Sequence, residues 1–345
     1  MNVWKMTLKP EGKDKTKIFQ FCKEESIVGI GWGLDKTPRS TEEAFLMAKE
    51  KKEFLENDKI PRNIKTSFTY FVRDMKAGDL VWLHDTHSKA TSSSYYLCKL
   101  ERDNTSVDND WLYTFNNPNM LFKEMDIAFA RKCTWKNIPE DLVPGIAKRI
   151  LCTSNAVQRL SNITEQTKKY MDYIFTTDFN YLSLQTSVNW DNLLINEQVI
   201  FDIMDPDEVE DILLIKLQIE GWILLKSSCY KSNPTFECII RKKINSAKTI
   251  TGYVQVKTGT VQLDVNDYRG EYSENDNRVF LFSTAEKPYL NSIPANSNIS
   301  LILKKEILDF MMNSDNFEYL PKSLKYKLAL LSNLKEASAL NHPEE

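Results

Sequence analysis

The stretch TGYVQVKTG, residues 251–259, decides how the second half of this chain is read. Successive side chains of a strand point to opposite faces. Val254 and Val256 therefore share one face, and Tyr253, Gln255 and Lys257 share the other. The valines ask for a core. The amide and the amine ask for polar partners, because burying them alone is costly. Upstream, TFECIIRKK (235–243) reads as a second strand, with Phe236, Cys238 and Ile240 on one face and Glu237 with Ile239 on the other. Laid side by side, the two strands bring Glu237 to Lys257. Further upstream, DPDEVEDILLIKLQIEG (205–221) reads as a helix. Asp205 is its N-cap, Pro206 its first residue, Glu208 completes a capping box and Gly221 ends it. Glu210 lies beside the apolar stripe of Val209, Leu213 and Leu217, and reaches the same sheet edge if that stripe packs on the sheet.

The rest of this half has the same grain. WILLKSS (222–228) and RVFLFST (278–284) read as strands, and KKEILDFMM (304–312) and KSLKYKLALLSNLKEA (322–337) as helices. The chain has 345 residues, more than one core usually organises, so two domains are expected. The first covers 1–175, a linker rich in Asn, Ser and Thr covers 176–200, and the second covers 201–345. In the first, NVWKMTL (2–8), SIVGIGWGL (26–34), AGDLVWLHD (77–85), SSYYLCKLER (93–102), DWLYTF (110–115) and DIAFARKCTWKNI (126–138) read as strands. DKTKIFQFCKEE (14–25), STEEAFLMAKEKKEFLEND (40–58), NAVQRLS (155–161) and TEQTKKYMDYIF (164–175) read as helices.

A net charge of −3 gives no global basic signature, so any nucleic-acid binding must use local patches. One such patch runs from Lys226 to Lys257: Lys226, Lys231, Arg241, Lys242, Lys243, Lys248 and Lys257 stand against Glu237 alone. No apolar run approaches membrane-spanning length and the N-terminus lacks a signal-peptide core, which points to a cytoplasmic protein with no membrane partner. The six cysteines are widely spaced without Cys-x-x-Cys, which suits reduced, mostly buried thiols rather than zinc. His84 and His87 make at most half of a metal site. No Gly-x-x-x-x-Gly-Lys-Ser/Thr occurs, so a nucleotide-driven motor is not encoded here.

A carboxylate on one strand, a lysine on the next and a helical Glu form a set suited to phosphodiester hydrolysis. That reaction needs a divalent cation held by oxygens, an activated water and a positive charge near the phosphate. The order helical Glu, Gly-Trp, Phe-Glu and then VQVKTG resembles the PD-(D/E)xK restriction-endonuclease-like fold. More narrowly, it is similar to the Mrr-type restriction nucleases, whose last motif is Gln-x-Lys, here Gln255-Val256-Lys257. The resemblance spans roughly residues 200–300 and implies a mixed sheet flanked by helices. It also implies a metal-ligand position at Glu237, support from Glu210, Gln255 beside the metal (Mg2+ or Mn2+) and a catalytic Lys257. The departure is Glu237 where that family carries Asp, longer by one methylene.

In the first half, a Trp between glycines (Trp32) and a second Trp in GDLVWLHD (Trp82) stand in an aromatic-rich set with Trp4, Trp111, Tyr95, Tyr96 and Tyr113. Glycines let a ligand or another backbone approach closely, and flat aromatic walls suit a base taken out of its stack. These strands resemble the PUA-like group that includes EVE and YTH domains, over about residues 1–165. The resemblance implies a PUA-like β-barrel with helices and a base pocket drawn from Trp32, Trp82, Asp85 and Tyr96. Tyr95 and Tyr96 point to opposite faces, so one pocket takes only one of them.

The fold class is thus α/β and α+β. The function expected is a modification-dependent DNA endonuclease that reads a modified base in double-stranded DNA with its first domain and cuts with its second. It would act as a homodimer so that both strands are cut. The competing readings are a catalytically inactive nucleic-acid-binding protein with a degenerate nuclease fold, and an RNA-processing factor.

Overall fold

The computed structural model describes residues 1–8, 15–31, 33–50, 62–85, 94–102, 110–115, 117–153, 156–178, 188–193, 197–229, 235–268, 276–293 and 297–340. The protein is a mixed α/β chain of two compact units: Met1–Val143 with Ala147–Asn180, and Pro144–Ile146 with Tyr181–Glu345. Among the described residues no helix is long and apolar enough to cross a membrane.

The first unit is built on a curled half-barrel sheet. Its strands are β1 (Val3–Met6), β2 (Ile27–Ile30), β3 (Leu80–Asp85), β4 (Ser94–Leu100), β5 (Leu112–Tyr113), β6 (Phe129–Ile138) and β7 (Val157–Arg159). Their order is β2-β6-β4-β3-β1-β7, with β5 added against β6. β1 and β3 run parallel, and the other pairs run antiparallel. The segment NAVQRLS, expected as a helix, is corrected here. Its Val157–Arg159 is a strand that pairs Met6 with Val157 and Trp4 with Arg159. Three residues are too few to nucleate a helix, whereas in strand form they occupy the backbone of β1 and bury Val157.

Two buried charged groups in this unit, Arg131 and Asp79, are answered mainly by its own backbone. Arg131 on β6 is 1% exposed and donates to the carbonyls of Phe71 (2.8 Å), Val72 (3.4 Å) and Asp110 (2.8 Å). Phe71 and Val72 belong to a π-helical turn, Tyr70–Asp74, which extends the helix Arg62–Thr69. Such turns are rare and leave carbonyls misaligned with the normal helical donors; the guanidinium fork supplies donors instead. Burial pulls this Arg down to about 10, against the opposing pull of Asp110 and Asp79. Asp79 in turn accepts from the backbone N–H of Asn2 (2.7 Å) and of Lys76 (3.1 Å), and from Trp4 Nε1 (2.8 Å).

The second unit holds a five-stranded sheet of β8 (Ile223–Leu224), β9 (Cys238–Lys243), β10 (Thr249–Lys257), β12 (Arg278–Ser283) and β14 (Ile299–Leu301). The order is β14-β12-β10-β9-β8, and β11 (Leu263–Asp264) pairs with β13 (Tyr289–Leu290) in a separate ribbon. β10 is central, parallel to β12 and antiparallel to β9. Both of its faces are covered. Val254 and Val256 lie on the side where Phe280 meets Trp222 and Phe282 meets Phe201. Tyr253 and Gln255 lie on the side where Val279, Leu281, Phe236, Val265 and Tyr268 cluster. This explains why Gln255, at 1% exposed, is as buried as the valines opposite.

The helix Pro206–Ile219 precedes the sheet and carries both of the end signals in its sequence. Asp205 accepts from the N–H of Asp207, and Glu208 Oε2 accepts from the N–H of Asp205 at 2.8 Å. At the other end, Gly221 has φ +90°. The N–H of Gly221 bonds Gln218 O (2.9 Å) and the N–H of Trp222 bonds Leu217 O (3.0 Å), the paired bonds of a Schellman cap. Glu208 does more than cap. It is buried and paired with the Lys327 ammonium at 3.0 Å, which ties this helix to the helix Lys322–Leu340.

Candidate functional site

The polar set of the second unit is assembled by strand register. β9 and β10 pair Cys238 with Val254, Ile239 with Tyr253 and Arg241 with Thr251. The N–H of Glu237 also bonds Val254 O, at 2.9 Å. Two successive residues, Glu237 and Cys238, thus oppose one, which is a β-bulge. The bulge breaks the alternation expected for TFECII. Phe236 does not share a face with Cys238; its ring meets Tyr253 (4.9 Å between centroids) and Tyr268 (5.7 Å) on the far side of the sheet. Bulges re-aim side chains; here Phe236 is re-aimed, while Glu237 stays on the face of Gln255 and Lys257.

Glu237 Oε1 accepts from Gln255 Nε2 at 2.9 Å and from Lys257 Nζ at 3.5 Å. Gln255 Nε2 also donates to Val256 O at 3.0 Å. Its other amide atom, Oε1, is buried with no partner among the described residues. The Glu237 and Lys257 side chains keep 29% and 35% of their surface exposed, so solvent and solutes reach the charged end of the set. The strand end is pinned by the turn after β12. Thr284 N–H donates to Lys257 O at 3.0 Å, and Thr284 Oγ1 accepts from Gly259 N–H at 2.8 Å. Glu237 also acts on its neighbours. Burial first, then Asp267 and Glu237, push the Tyr268 hydroxyl up to about 12. Burial first, then Cys229, Glu210 and Glu237, push the Cys238 thiol up to about 12. Glu210 is half-buried on the Pro206–Ile219 helix and thus lies within electrostatic reach of Cys238.

The residues fit a hard divalent cation on one specific observation. The Gln255 NH2 stands between two oxygens, Glu237 Oε1 and Val256 O, while the Gln255 oxygen has no partner. Turned over, the amide would add its oxygen to those two, giving the all-oxygen donors that Mg2+ and Mn2+ prefer. Side-chain carboxylates alone do not build the site: among the described residues no three His, Cys, Asp or Glu side chains are grouped to hold a metal.

The basic patch is sorted by the same register. Arg241 and Lys243 are exposed and pair with Thr251 and Thr249, which alternate with Tyr253, Gln255 and Lys257 on one face. Lys242 is on the opposite face, donating to Glu220 O at 2.7 Å and lying over the Trp222 ring. Lys248 is paired with Asp276 at 2.6 Å. Lys231 lies outside the described residues.

In the first unit the expected pocket residues are not all brought together. Trp32 and His87 lie outside the described residues. Asp85 pairs with Ser94 and Leu83 with Tyr96, so Asp85 and Tyr96 share a face, whereas Trp82 pairs with Leu97 on the other. Trp82 is fully buried. Tyr96 is half-buried between Phe19 (6.0 Å) and Trp135 (5.6 Å), with the Lys23 ammonium over its ring. The glycines beside position 32 are filled from within. A Cβ on Gly31 would lie 2.7 Å from Asp126 Oδ2, and one on Gly33 would lie 2.6 Å from the Phe115 ring. Trp4 and Trp111 are core, and the Tyr113 hydroxyl is spent on both backbone groups of Leu34. The signals missed in the sequence were the β-bulge at Glu237, Trp135 beside Tyr96, and Tyr268 near Glu237. Only Trp135, an aromatic in an alternating strand, left a readable trace.

A family model described as a domain of unknown function (DUF8426) matches residues 4–94. No curated protein matches the chain. Among solved structures, the chain is similar to a MspJI restriction endonuclease in complex with a 27-mer oligonucleotide, at 10% sequence identity over 97% of this chain and 70% of that one. The TM-score is 0.26, a superposition too loose to carry fold or function.

Proposed function

We propose that this protein is a modification-dependent DNA endonuclease, with a PD-(D/E)xK-type second unit that cuts and a PUA-like first unit that reads. The observation that supports it best is the convergence of Glu237, Gln255 and Lys257, with the buried Gln255 oxygen left unanswered. Glu237, Gln255 and the Val256 carbonyl would hold Mg2+ or Mn2+, supported by Glu210. When bound, the cation would polarise the phosphate and make a water more acidic. Lys257 is the residue that meets the negative charge growing on the phosphate, an interaction strongest in the transition state. Arg241 and Lys243 extend the positive face toward flanking phosphates. Two strand cuts require two such sites, so two copies of the chain act on one duplex.

Lys257→Ala is expected to lower cleavage of modified plasmid DNA by about 10²–10³-fold while leaving DNA binding nearly intact. Unchanged cleavage would remove Lys257 from the site. Neutralising Arg241 and Lys243 is expected to reduce the salt slope of DNA binding by about one per residue, with no such change for Lys242. An equal effect at all three would show that face does not matter. The reader role is tested by binding to matched unmodified, methylated, hydroxymethylated and glucosylated duplexes. Equal affinity for all four contradicts it.

A second reading is a DNA-binding protein without turnover. It is favoured by the Glu237–Lys257 contact itself, since an ion pair of this kind also occurs as a purely structural one. Absence of metal-dependent nicking on every modified substrate, with binding retained, would select it.

A further inference from the structure

The hairpin of β9 and β10 runs on past the strands beside it. β12 follows β10 only as far as Gly252, opposite Arg278, and β8 follows β9 only as far as Arg241, opposite Ile223. Beyond them the pairs Ile250–Lys242 and Thr249–Lys243 form a two-stranded ribbon, with no third strand among the described residues. Its tip is tied by its own groups. The N–H of Ile244 bonds Lys248 O at 2.9 Å, and Asn245 Oδ1 accepts from the N–H groups of Ala247 (2.9 Å) and Lys248 (2.8 Å). From Lys243 to Thr249 every residue is exposed. The charge is one-sided. Cys238 to Lys257 holds Arg241, Lys242, Lys243, Lys248 and Lys257 and no acid, and Asp276 reaches Lys248 from outside the ribbon. One residue breaks the pattern: Ile244, 52% exposed at the tip, is the ribbon's one exposed large apolar side chain.

We propose that this ribbon is a DNA-deforming arm, which enters the minor groove tip first and drives Ile244 between two base pairs. The arm rests on the DNA-binding half of the function proposed above and not on cutting. Apolar wedges inserted from the minor groove part-unstack a base step and kink the duplex. A wedge has to be apolar, because a charged tip would carry its water into the stack. It also has to be held by a stiff support, which the Asn245 turn supplies. Two backbones about 4.8 Å apart, with only Ser246 and Ala247 at their turn, suit a groove about 6 Å wide. Behind the tip, Arg241 and Lys243 meet the phosphates of the groove wall. A basic arm is also drawn to an anionic membrane, but holding there takes an apolar face, and Ile244 stands alone. A base step takes a single wedge.

The test uses the full chain without divalent metal, so that no strand is cut. The probes are duplexes with and without methylated cytosine, carrying 2-aminopurine moved one position at a time and a donor and an acceptor dye at the two ends. On binding, 2-aminopurine fluorescence should rise severalfold at one step, and energy transfer should rise as the ends approach. Ile244→Ser should lose both rises with the salt slope of binding unchanged, since it removes no charge. Ile244→Leu should keep both. Both rises retained in Ile244→Ser would overturn the arm, and so would a duplex bound with neither rise. Binding to vesicles of anionic lipid that depends on Ile244, with no change in DNA, would make the ribbon a membrane element instead. If the unaltered chain binds no duplex, the arm and the nuclease reading fall together. If the rises appear and Mg2+ or Mn2+ brings no cut, the cutting falls and the arm stands.

Discussion

The two units bury polar groups to different ends. In the first, Arg131 and Asp79 lie deep and are answered by backbone carbonyls and N–H groups. Such bonds fasten irregular backbone to a sheet, and their donors and acceptors are used up. In the second, Gln255 is equally deep, yet its amide oxygen is unanswered and its nitrogen donates to Glu237, a partly exposed carboxylate that also meets Lys257. The same contrast recurs inside the second unit. Glu208–Lys327 is a closed pair, with side chains 8% and 1% exposed, whereas Glu237–Lys257 is open at 29% and 35%. Closed polar groups hold the fold, and open ones are available to a ligand.

The largest test of that contrast is Lys327→Met. It leaves Glu208 buried without its cation, and removing one partner of a buried pair costs about 3–5 kcal/mol. A denaturant titration should show the loss, and Glu208→Gln combined with Lys327→Met should recover much of it. A loss under about 1 kcal/mol would mean that the pair is solvated and not closed.

The next test sets Arg131→Met against Gln255→Leu. The first strips donors from buried carbonyls of the π-helical turn and should destabilise by about 1–3 kcal/mol. The second removes an amide that leaves an oxygen unanswered, and its partner Glu237 is open to water. It should change stability by less than about 1 kcal/mol while metal-dependent cleavage falls by about 10²-fold. If Gln255→Leu destabilises as much as Arg131→Met, Gln255 is a staple like Arg131 and the comparison fails.

What was legible in the sequence follows the range of the interactions. The helix Pro206–Ile219 could be read to its last residue because caps are local: Asp205, Pro206, Glu208 and Gly221 announce themselves within four residues of its ends. β10 could be read from alternation, and so could the meeting of Gln255 and Lys257 with Glu237. Alternation could not show the bulge, which is a property of the β9–β10 pair and not of either strand. It could not show that both faces of β10 are covered, since Val265 and Tyr268 arrive from the connection after β10. The second role of Glu208 depends on Lys327, more than a hundred residues away. In the first unit the glycines of IVGIGWG signalled close approach correctly, but Asp126 and Phe115 fill the space beside Gly31 and Gly33. β7 was missed because its three residues carry no period; only the open edge of β1 explains them.

The smallest effect sharpens what an unanswered atom means. His84 Nε2 is also buried without a partner among the described residues, with the part-exposed Glu140–Lys148 pair nearby. The imidazole stacks on Tyr95, with centroids 4.2 Å apart. Burial holds its pKa below the usual 6.5, outweighing Glu140 and Asp85, and Lys148 acts in the same direction as burial. The unfolded chain therefore takes up this proton at higher pH than the folded one. Its contribution to stability is full above the unfolded value and is lost as pH falls through and below it, toward the folded value. Between about pH 7.5 and about pH 5.5 the melting temperature of the unaltered protein should fall more than that of His84→Phe, which keeps the stack and cannot titrate. Such a result would make His84 a structural acid-sensitive group whose unanswered nitrogen marks no ligand site. Identical slopes would mean that His84 is hydrated in the folded state, and the weight placed on the Gln255 oxygen would have to shift to the Glu237–Lys257 pair alone.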